Sequence, residues 1–101
     1  GRKILPAVFQ IASFINDFDM DLDVALSHPR FDVSGTNKIT YDPRLDPVTQ
    51  RSLESMSVAD PWMPATFPSM YAVPSGVQIL ADGTLVGAAH SQSPLTGAVG
   101  V

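Results

Sequence analysis

The stretch that decides the fold is residues 1–31, GRKILPAVFQIASFINDFDMDLDVALSHPRF. Apolar residues recur at steps of three and four from Ile4 to Phe18, a spacing that places them on one face of a helix. Four more apolar residues widen this face until the helix is apolar on nearly all sides: Leu5, Phe9, Ala12 and Phe14. Such a helix is typical of the interior of a layered protein. We therefore predict a buried first helix that begins within the first few residues and ends around 16–17, with Ile11 and Phe14 in the core.

A second, shorter helix is predicted directly after the first. Asp21 suits its N-cap position, and Asp23 complements the positive end of the helix dipole. The helix ends at His28, because a residue that precedes a proline is pushed out of helical geometry. Residues 38–41 then form a short strand rich in β-branched and aromatic residues.

The second half of the chain begins with a third helix. Asp46 and Pro47 are typical of an N-cap and a first helical position, and the helix should run to about Met56. Its predicted apolar stripe is Val48, Leu53 and Met56. Residues 57–76 hold four prolines and three aromatic residues, which favours an ordered loop that wraps the domain. Residues 77–88 predict a hairpin that turns at Asp82 and Gly83.

Composition narrows the class of protein. The chain has 101 residues, 45% of them hydrophobic and only 16% charged, so it is a single domain or a fragment over 1–101 with surface that other protein would cover. A net charge of −4 argues against nucleic acid and anionic membranes as partners. The longest apolar run, twelve residues from Ile4 to Ile15, is shorter than the roughly 20 residues that a membrane-spanning helix needs.

The residues that could carry chemistry form no recognised motif on their own. The alternating aspartates 17, 19, 21 and 23 lack the glycine and glutamate of a calcium loop, and a solvated acidic turn is favoured. His28 and His90 lack metal-ligand spacing, and His90-Ser91 has no nucleophile elbow. Arg30 is expected to be a buried arginine that forms an ion pair or binds a carbonyl group, and a substrate clamp is the alternative. We predict no cofactor and no metal, and the absence of cysteine excludes a thiol nucleophile.

Two ordered sets of residues carry a family resemblance. The first set is Gly1, Ile4, Val8, Gln10, Asp17-Phe18, Ala25 and Pro29-Arg30-Phe31. The second set is Val77-Gln78-Ile79, Asp82-Gly83, Leu85, Gly87-Ala88-Ala89 and Gly97-Ala98-Val99-Gly100. In this order and at this separation, they resemble the C-terminal part of the small subunit of gamma-glutamyltranspeptidases, which are N-terminal-nucleophile hydrolases. The resemblance implies an α+β fold, part of an αββα sandwich with helices followed by a C-terminal hairpin.

The resemblance also implies a reaction that this chain does not perform alone. In the family, an N-terminal Thr released by self-cleavage attacks a gamma-glutamyl amide, such as a glutathione-type donor, and the acyl group passes to water or an amine. That nucleophile lies upstream of Gly1, and so do the residues that bind the glutamyl α-carboxylate. Gly1 aligns with the second glycine of the pair that lines the oxyanion hole, where a backbone N–H must approach the substrate closely. A Gly1 without a catalytic role is the alternative.

These implications set the expected partners and the rival interpretations. The partners are the large subunit, the N-terminal part of the small subunit and the gamma-glutamyl substrate. The isolated chain should be inactive and should self-associate, most simply as a twofold dimer. One rival is a related acylase or amide ligase with the same nucleophile, and another is a non-catalytic α+β binding module. Family members are periplasmic, extracellular or cytoplasmic, so the compartment stays open.

Overall fold

The computed structural model describes residues 1–35, 37–62, 72–91, 93 and 95–100. In chain order, the elements are α1 (Ile4–Asn16), α2 (Leu22–Ser27), β1 (Phe31–Asp32), β2 (Lys38–Tyr41), α3 (Pro47–Met56), β3 (Val58–Pro61), β4 (Ser75–Ile79) and β5 (Leu85–Ala89). The predicted α+β class is confirmed. The predicted bounds of the three helices and of the strand at 38–41 are confirmed as well.

The three short strands β1, β2 and β3 form one sheet in that order. β1 pairs antiparallel with β2, with Phe31 opposite Tyr41. β2 pairs parallel with β3, with Lys38 opposite Val58. The parallel pairing requires a crossover, and α3 supplies it between the two strands.

The hairpin of β4 and β5 forms the second sheet, with Ile79 opposite Leu85. Gly83 lies in the turn at φ 84°, a left-handed conformation that glycine adopts without strain. Leu80 N–H donates to Thr84 O at 2.9 Å, and Gly83 N–H donates to Leu80 O at 2.9 Å. The predicted hairpin is confirmed, with β4 starting two residues earlier, at Ser75.

Two small hydrophobic cores hold these elements together. The first core joins α1, α2 and β5 through Ile11, Leu22, Ala25, Leu26 and Ala88. The second joins the three-stranded sheet to α3 through Ile39, Tyr41 and Leu53. Phe14 and Ile15 are partly buried against the first core, so the core position expected for Ile11 is confirmed and Phe14 lies at the margin.

Burial of α1 differs from the prediction. Only Ala7 and Ile11 of α1 are buried, while Leu5 is 78% and Phe9 is 71% exposed. The prediction of a helix covered on nearly all sides was wrong for this chain, because the described elements cover one face of α1 only. Apolar side chains on the opposite face meet no second layer within the described residues.

The stripe predicted on α3 was also wrong in part. Leu53 is buried, but Val48 is 65% and Met56 is 77% exposed. A five-residue step such as that from Val48 to Leu53 turns a helix by about 140° beyond a full revolution, so the two side chains cannot share a narrow face. α3 therefore contacts the sheet through Leu53.

The segment predicted as a loop over 57–76 contains regular structure at both ends. Residues 58–61 form β3, and Ser75 and Gly76 belong to β4. Proline is compatible with β3 because this strand lies at the edge of its sheet. Residues 63–71 of the predicted loop lie outside the described residues. None of the described helices has the length and apolarity that crossing a membrane requires.

Candidate functional site

The site suggested by the sequence lies at the start of α1. Gly1 is exposed and precedes the helix, and its carbonyl oxygen accepts a hydrogen bond from Ile4 N–H at 3.2 Å. A Cβ atom built on Gly1 would meet no heavy atom within 4 Å. Nothing within the described part of the chain therefore requires glycine at this position.

The electrostatics at this end of α1 favour an anion. The helix has no acidic residue in its first turn, and Arg2 and Lys3 lie directly before it. The N-terminal end of a helix carries a partial positive charge from its unpaired N–H groups. Gly1 therefore lies where both the helix dipole and the neighbouring cations stabilise negative charge.

The turn after β1 contacts the residue next to Gly1. Gly35 has φ 90°, which favours glycine, and a Cβ on it would lie 3.1 Å from Arg2 Nη1 and 3.2 Å from Arg2 Cδ. The side chain of Arg2 thus lies along the open face of this turn. The contact joins the start of α1 to the segment between β1 and β2.

Gln10 makes a second connection between α1 and β1. Its Nε2 donates to Phe31 O at 2.7 Å and to Pro6 O at 2.9 Å. Its Oε1 accepts from Phe31 N–H at 3.1 Å. The side-chain amide of Gln10 therefore pairs with both backbone groups of Phe31, as a residue of a neighbouring strand would.

A small cavity lies between the start of α1 and β1. Its lining includes Lys3, Arg30 and Asp32. Asp32 Oδ2 accepts from Ser34 Oγ at 2.6 Å, whereas the buried Asp32 Oδ1 has no hydrogen-bond donor among the described residues. Arg30 Nη2 donates to Ala72 O at 3.1 Å. The expectation that Arg30 is a buried arginine that binds a carbonyl group is confirmed, since it is 2% exposed.

Arg30 belongs to a polar cluster in which Arg30, Asp42 and His90 are buried and Arg44 is exposed. Asp42 and His90 are each 1% exposed. Arg44 Nη2 donates to Asp42 Oδ2 at 2.6 Å, Arg44 Nε donates to Asp42 Oδ1 at 3.1 Å, and Arg44 Nη2 also reaches Ser27 O at 3.2 Å. The backbone adds a bond from Asp42 N–H to Arg30 O at 2.9 Å. The cluster thus ties the end of α2 to the end of β2.

The pKa values of Asp42 and His90 both lie below their ordinary values. Burial raises the pKa of Asp42, but the hydrogen bonds and charge of Arg44, together with the charge of Arg30, outweigh it and hold the pKa below its ordinary value. Burial lowers the pKa of His90, and the charges of Arg30 and Arg44 lower it further, against a smaller opposing effect of Asp42. The environment favours an ionised Asp42 and a neutral His90.

The remaining candidates from the sequence do not come together in a site. His28 packs against Phe14 edge to face, with ring centroids 4.7 Å apart. Asp17 accepts a hydrogen bond from Ser13 within the same helical turn, at 2.5 Å. His90 is buried in the polar cluster while Ser91 is exposed. Among the described residues, no group of three or more His, Asp or Glu side chains could hold a metal ion.

Sequence reasoning missed the roles of Asp42, Arg44 and Gln10. Asp42 and Arg44 directly follow a strand as Asp-Pro-Arg, and an acid and a base two residues apart at a strand end could have indicated a local ion pair. Gln10 was named only as one of the residues that resemble the family, without a structural role. Its partner is 21 positions away, so no local pattern could have identified it.

Comparison with solved structures finds a similar fold in several transpeptidases. The gamma-glutamyltranspeptidase of Pseudomonas nitroreducens in complex with L-DON matches with a TM-score of 0.73 and 19% identity, over 100% of this chain and 52% of that chain. A mutant of the Helicobacter pylori gamma-glutamyltranspeptidase matches with a TM-score of 0.71 and 18% identity, over 92% and 50% of the two chains. The Bacillus anthracis transpeptidase enzyme CapD matches with a TM-score of 0.73 and 13% identity, over 97% and 57%.

These comparisons define the fold and the extent of the match. The chain spans about half the length of the solved chains that it matches, between 50% and 57% for these three. No protein-family model and no curated protein sequence matches the chain. At 13–19% identity, the likeness establishes a shared fold. The resemblance to gamma-glutamyltranspeptidases is thereby confirmed for the architecture.

Proposed function

We propose that this chain is the C-terminal portion of the small subunit of a gamma-glutamyltranspeptidase-like enzyme, which cleaves gamma-glutamyl amides and transfers the acyl group to water or an amine. The observation that carries the proposal is the match of the whole chain to about half of a gamma-glutamyltranspeptidase chain. The first residue set runs from Gly1 through α1 and α2 to the start of β1, and the second set covers the β4–β5 hairpin and part of the segment that follows it.

The exposed face of the hairpin supports the proposal of a larger enzyme. Gly76 faces α2, since a Cβ on it would lie 3.2 Å from Leu22 Cδ1, and the neighbouring Val77 therefore points to the other side. On that side, Val77, Ile79 and Leu85 are between 68% and 72% exposed. A hairpin with helices on one face and bare apolar residues on the other suits the inner layers of an αββα sandwich. The remainder of the enzyme would supply the covering sheet.

In this proposal, Gly1 contributes to catalysis through its backbone. An upstream N-terminal Thr, freed by self-cleavage, attacks the gamma-glutamyl carbonyl carbon, and its own α-amino group takes up the proton. The carbonyl oxygen becomes an oxyanion, and the Gly1 N–H donates to it at the positive end of α1. The oxyanion re-forms the carbonyl as the C–N bond breaks, the leaving amine takes the proton from the α-amino group, and water or an acceptor amine then attacks the acyl-enzyme. This second half of the reaction restores the free Thr.

The test is expression of the complete reading frame and measurement of chromophore release from a gamma-glutamyl anilide. We expect the complete protein to release the chromophore and the 101-residue chain to remain at the level of a heat-killed control. Product analysis with and without an added amine separates transfer from hydrolysis. An inactive complete protein, or a reading frame without an upstream Thr at a cleavage junction, would refute the proposal.

The contribution of Gly1 has its own test in the complete protein. A Gly1→Pro substitution removes the backbone N–H, and loss of one oxyanion-hole donor lowers kcat by about 10²–10³-fold. The matched control is Gly97→Ala, since a Cβ at Gly97 also meets no heavy atom within 4 Å. Equal kcat values for the two variants would assign Gly1 no catalytic role.

A further inference from the structure

We infer that Gln10 is a positioning residue whose side-chain amide fixes α1, and with it the Gly1 N–H, against the free edge of β1. The inference rests on the proposed function for its catalytic consequence and on the hydrogen bonds of Gln10 for its structural part. The residues that carry it are Gln10 and Phe31.

The pairing of β1 shows why Phe31 needs a partner. Asp42 N–H donates to Arg30 O at 2.9 Å, which directs the backbone groups of Arg30 toward β2. Backbone groups alternate in direction along a strand, so the N–H and C=O of Phe31 point away from β2. β1 is the edge strand of its sheet, and these two groups would otherwise form an open edge. The Gln10 amide pairs with both of them, at 3.1 Å and 2.7 Å.

The apolar contacts of α1 are confined to one face. Ala7 and Ile11 of its thirteen residues are buried, and Phe14 and Ile15 are partly buried against the first core. Apolar contact is non-directional, so it resists separation of the helix from its neighbours better than sliding or rotation. A primary amide that both donates and accepts on one residue defines distance and orientation together. Gln10 therefore sets the axial position of α1 more strictly than the core does.

Position matters at Gly1, which precedes the helix and accepts a hydrogen bond from Ile4 N–H at 3.2 Å. A shift of α1 at Gln10 is therefore passed on to Gly1. Catalytic donors must stay within about 0.5 Å of their productive position, and a displacement of about 1 Å can cost on the order of 100-fold in rate. The loss of the Gln10 clamp is thus expected to lower kcat without removing any group that touches the substrate.

The structural part is tested by amide hydrogen exchange on the 101-residue chain. In Gln10→Leu, the Phe31 N–H loses its acceptor, and we expect its exchange to be at least tenfold faster. The matched control is Gln50→Leu, because Gln50 Nε2 likewise donates to backbone carbonyls, Leu45 O at 2.5 Å and Pro43 O at 3.2 Å, but lies in α3. Unchanged exchange at Phe31 in the Gln10 variant would overturn the inference. If Gln10→Leu does not fold, the experiment uses Gln10→Glu, in which an oxygen replaces the donor NH2 group. The readout is then the loss of exchange protection at the start of α1.

The catalytic part is tested in the complete protein below its melting temperature. We expect Gln10→Leu to lower kcat by about 10–100-fold with KM within about threefold, and Gln50→Leu to keep kcat within about twofold. A folded Gln10 variant with the kcat of the parent would overturn the positioning role. If the parent itself is inactive, the proposed function and the catalytic consequence fail together, while the exchange experiment still decides whether Gln10 clamps α1 to β1.

Discussion

α1 and α3 each bury one narrow face, but the rest of their surfaces differ. On α3, Leu53 is the buried residue and most other positions are polar. On α1, Ala7 and Ile11 are buried, and the uncovered surface includes the large apolar side chains Leu5 and Phe9. The surface of α3 is suited to water, whereas the surface of α1 is suited to a second protein layer. The same chain thus holds one helix with a mostly polar exposed surface and one with a mostly apolar exposed surface.

The largest expected effect distinguishes the two faces of α1. Ile11→Ala in the 101-residue chain should lower the free energy of unfolding by about 2–5 kcal/mol, because it empties a buried site. Phe9→Ala removes a larger side chain from the exposed face and should cost less than about 0.5 kcal/mol. Urea unfolding measures both. Equal costs would mean that the outer face of α1 is covered even in this chain, and the contrast with α3 would disappear.

The second prediction concerns the hairpin, which exposes large apolar side chains as α1 does. We expect the isolated chain to self-associate through the outer face that includes Val77 and Ile79, because burial of a large aliphatic side chain contributes about 1.5–3 kcal/mol. The double substitution Val77→Thr with Ile79→Thr should weaken association by more than about tenfold, which light scattering at micromolar concentration detects.

Val58→Thr is the matched control for this experiment, since Val58 is an equally exposed strand valine at 67%, but in β3. It should leave association unchanged. A monomer that binds no hydrophobic dye would contradict the prediction and favour a complete non-catalytic module over part of an enzyme.

The two helices also show how far sequence reasoning reaches. Local signals defined the bounds of α1 and α3, because caps, prolines and apolar spacing act within a few residues. Periodicity identified Ile11 as a core residue but could not show that only one face of α1 would be covered, since that depends on elements elsewhere in the protein. β1 has two residues and exists through its pairing with β2, so no pattern in the sequence predicted it. The same holds for the pairing of Gln10 with Phe31.

The third prediction tests the polar cluster that connects the α2 end to the β2 end. The pKa of His90 is lower in the folded chain than its ordinary value of 6.5, so the unfolded chain binds the proton first as pH falls. Stability should therefore be highest above about pH 6.5 and should decrease as the pH falls below that value, with a slope of at most about 1.4 kcal/mol per pH unit. The lowered pKa of Asp42 acts in a more acidic window, below about pH 4.

Urea unfolding at several pH values tests the contribution of His90. His90→Gln should reduce the loss of unfolding free energy as the pH falls below about 6.5, whatever its effect on stability at pH 7. The parent chain is the reference. An unchanged slope in the His90 variant would show that this histidine does not control the acid sensitivity of the chain.

The smallest expected effect concerns Asp46, the N-cap residue of α3. Asp46 Oδ1 accepts hydrogen bonds from Val48 N–H and Thr49 N–H, both at 3.0 Å, and the hydrogen bonds of Thr49 hold the pKa of Asp46 below its ordinary value. Asp46→Ala should cost about 1 kcal/mol of unfolding free energy, and Asp46→Asn should recover most of it, because the amide oxygen still accepts.

Asp21→Ala is the matched control for the cap. Asp21 occupies the N-cap of α2 but makes no side-chain capping bond there, so its replacement should cost less than about 0.5 kcal/mol. A cost equal to that of Asp46→Ala would show that N-cap identity, rather than the observed hydrogen bonds, sets the stability of these helix ends. The distinction bears directly on α1, whose N-cap Lys3 also lacks a side-chain capping bond. If caps act only through their hydrogen bonds, the position of α1 depends on the pairing of Gln10 with Phe31.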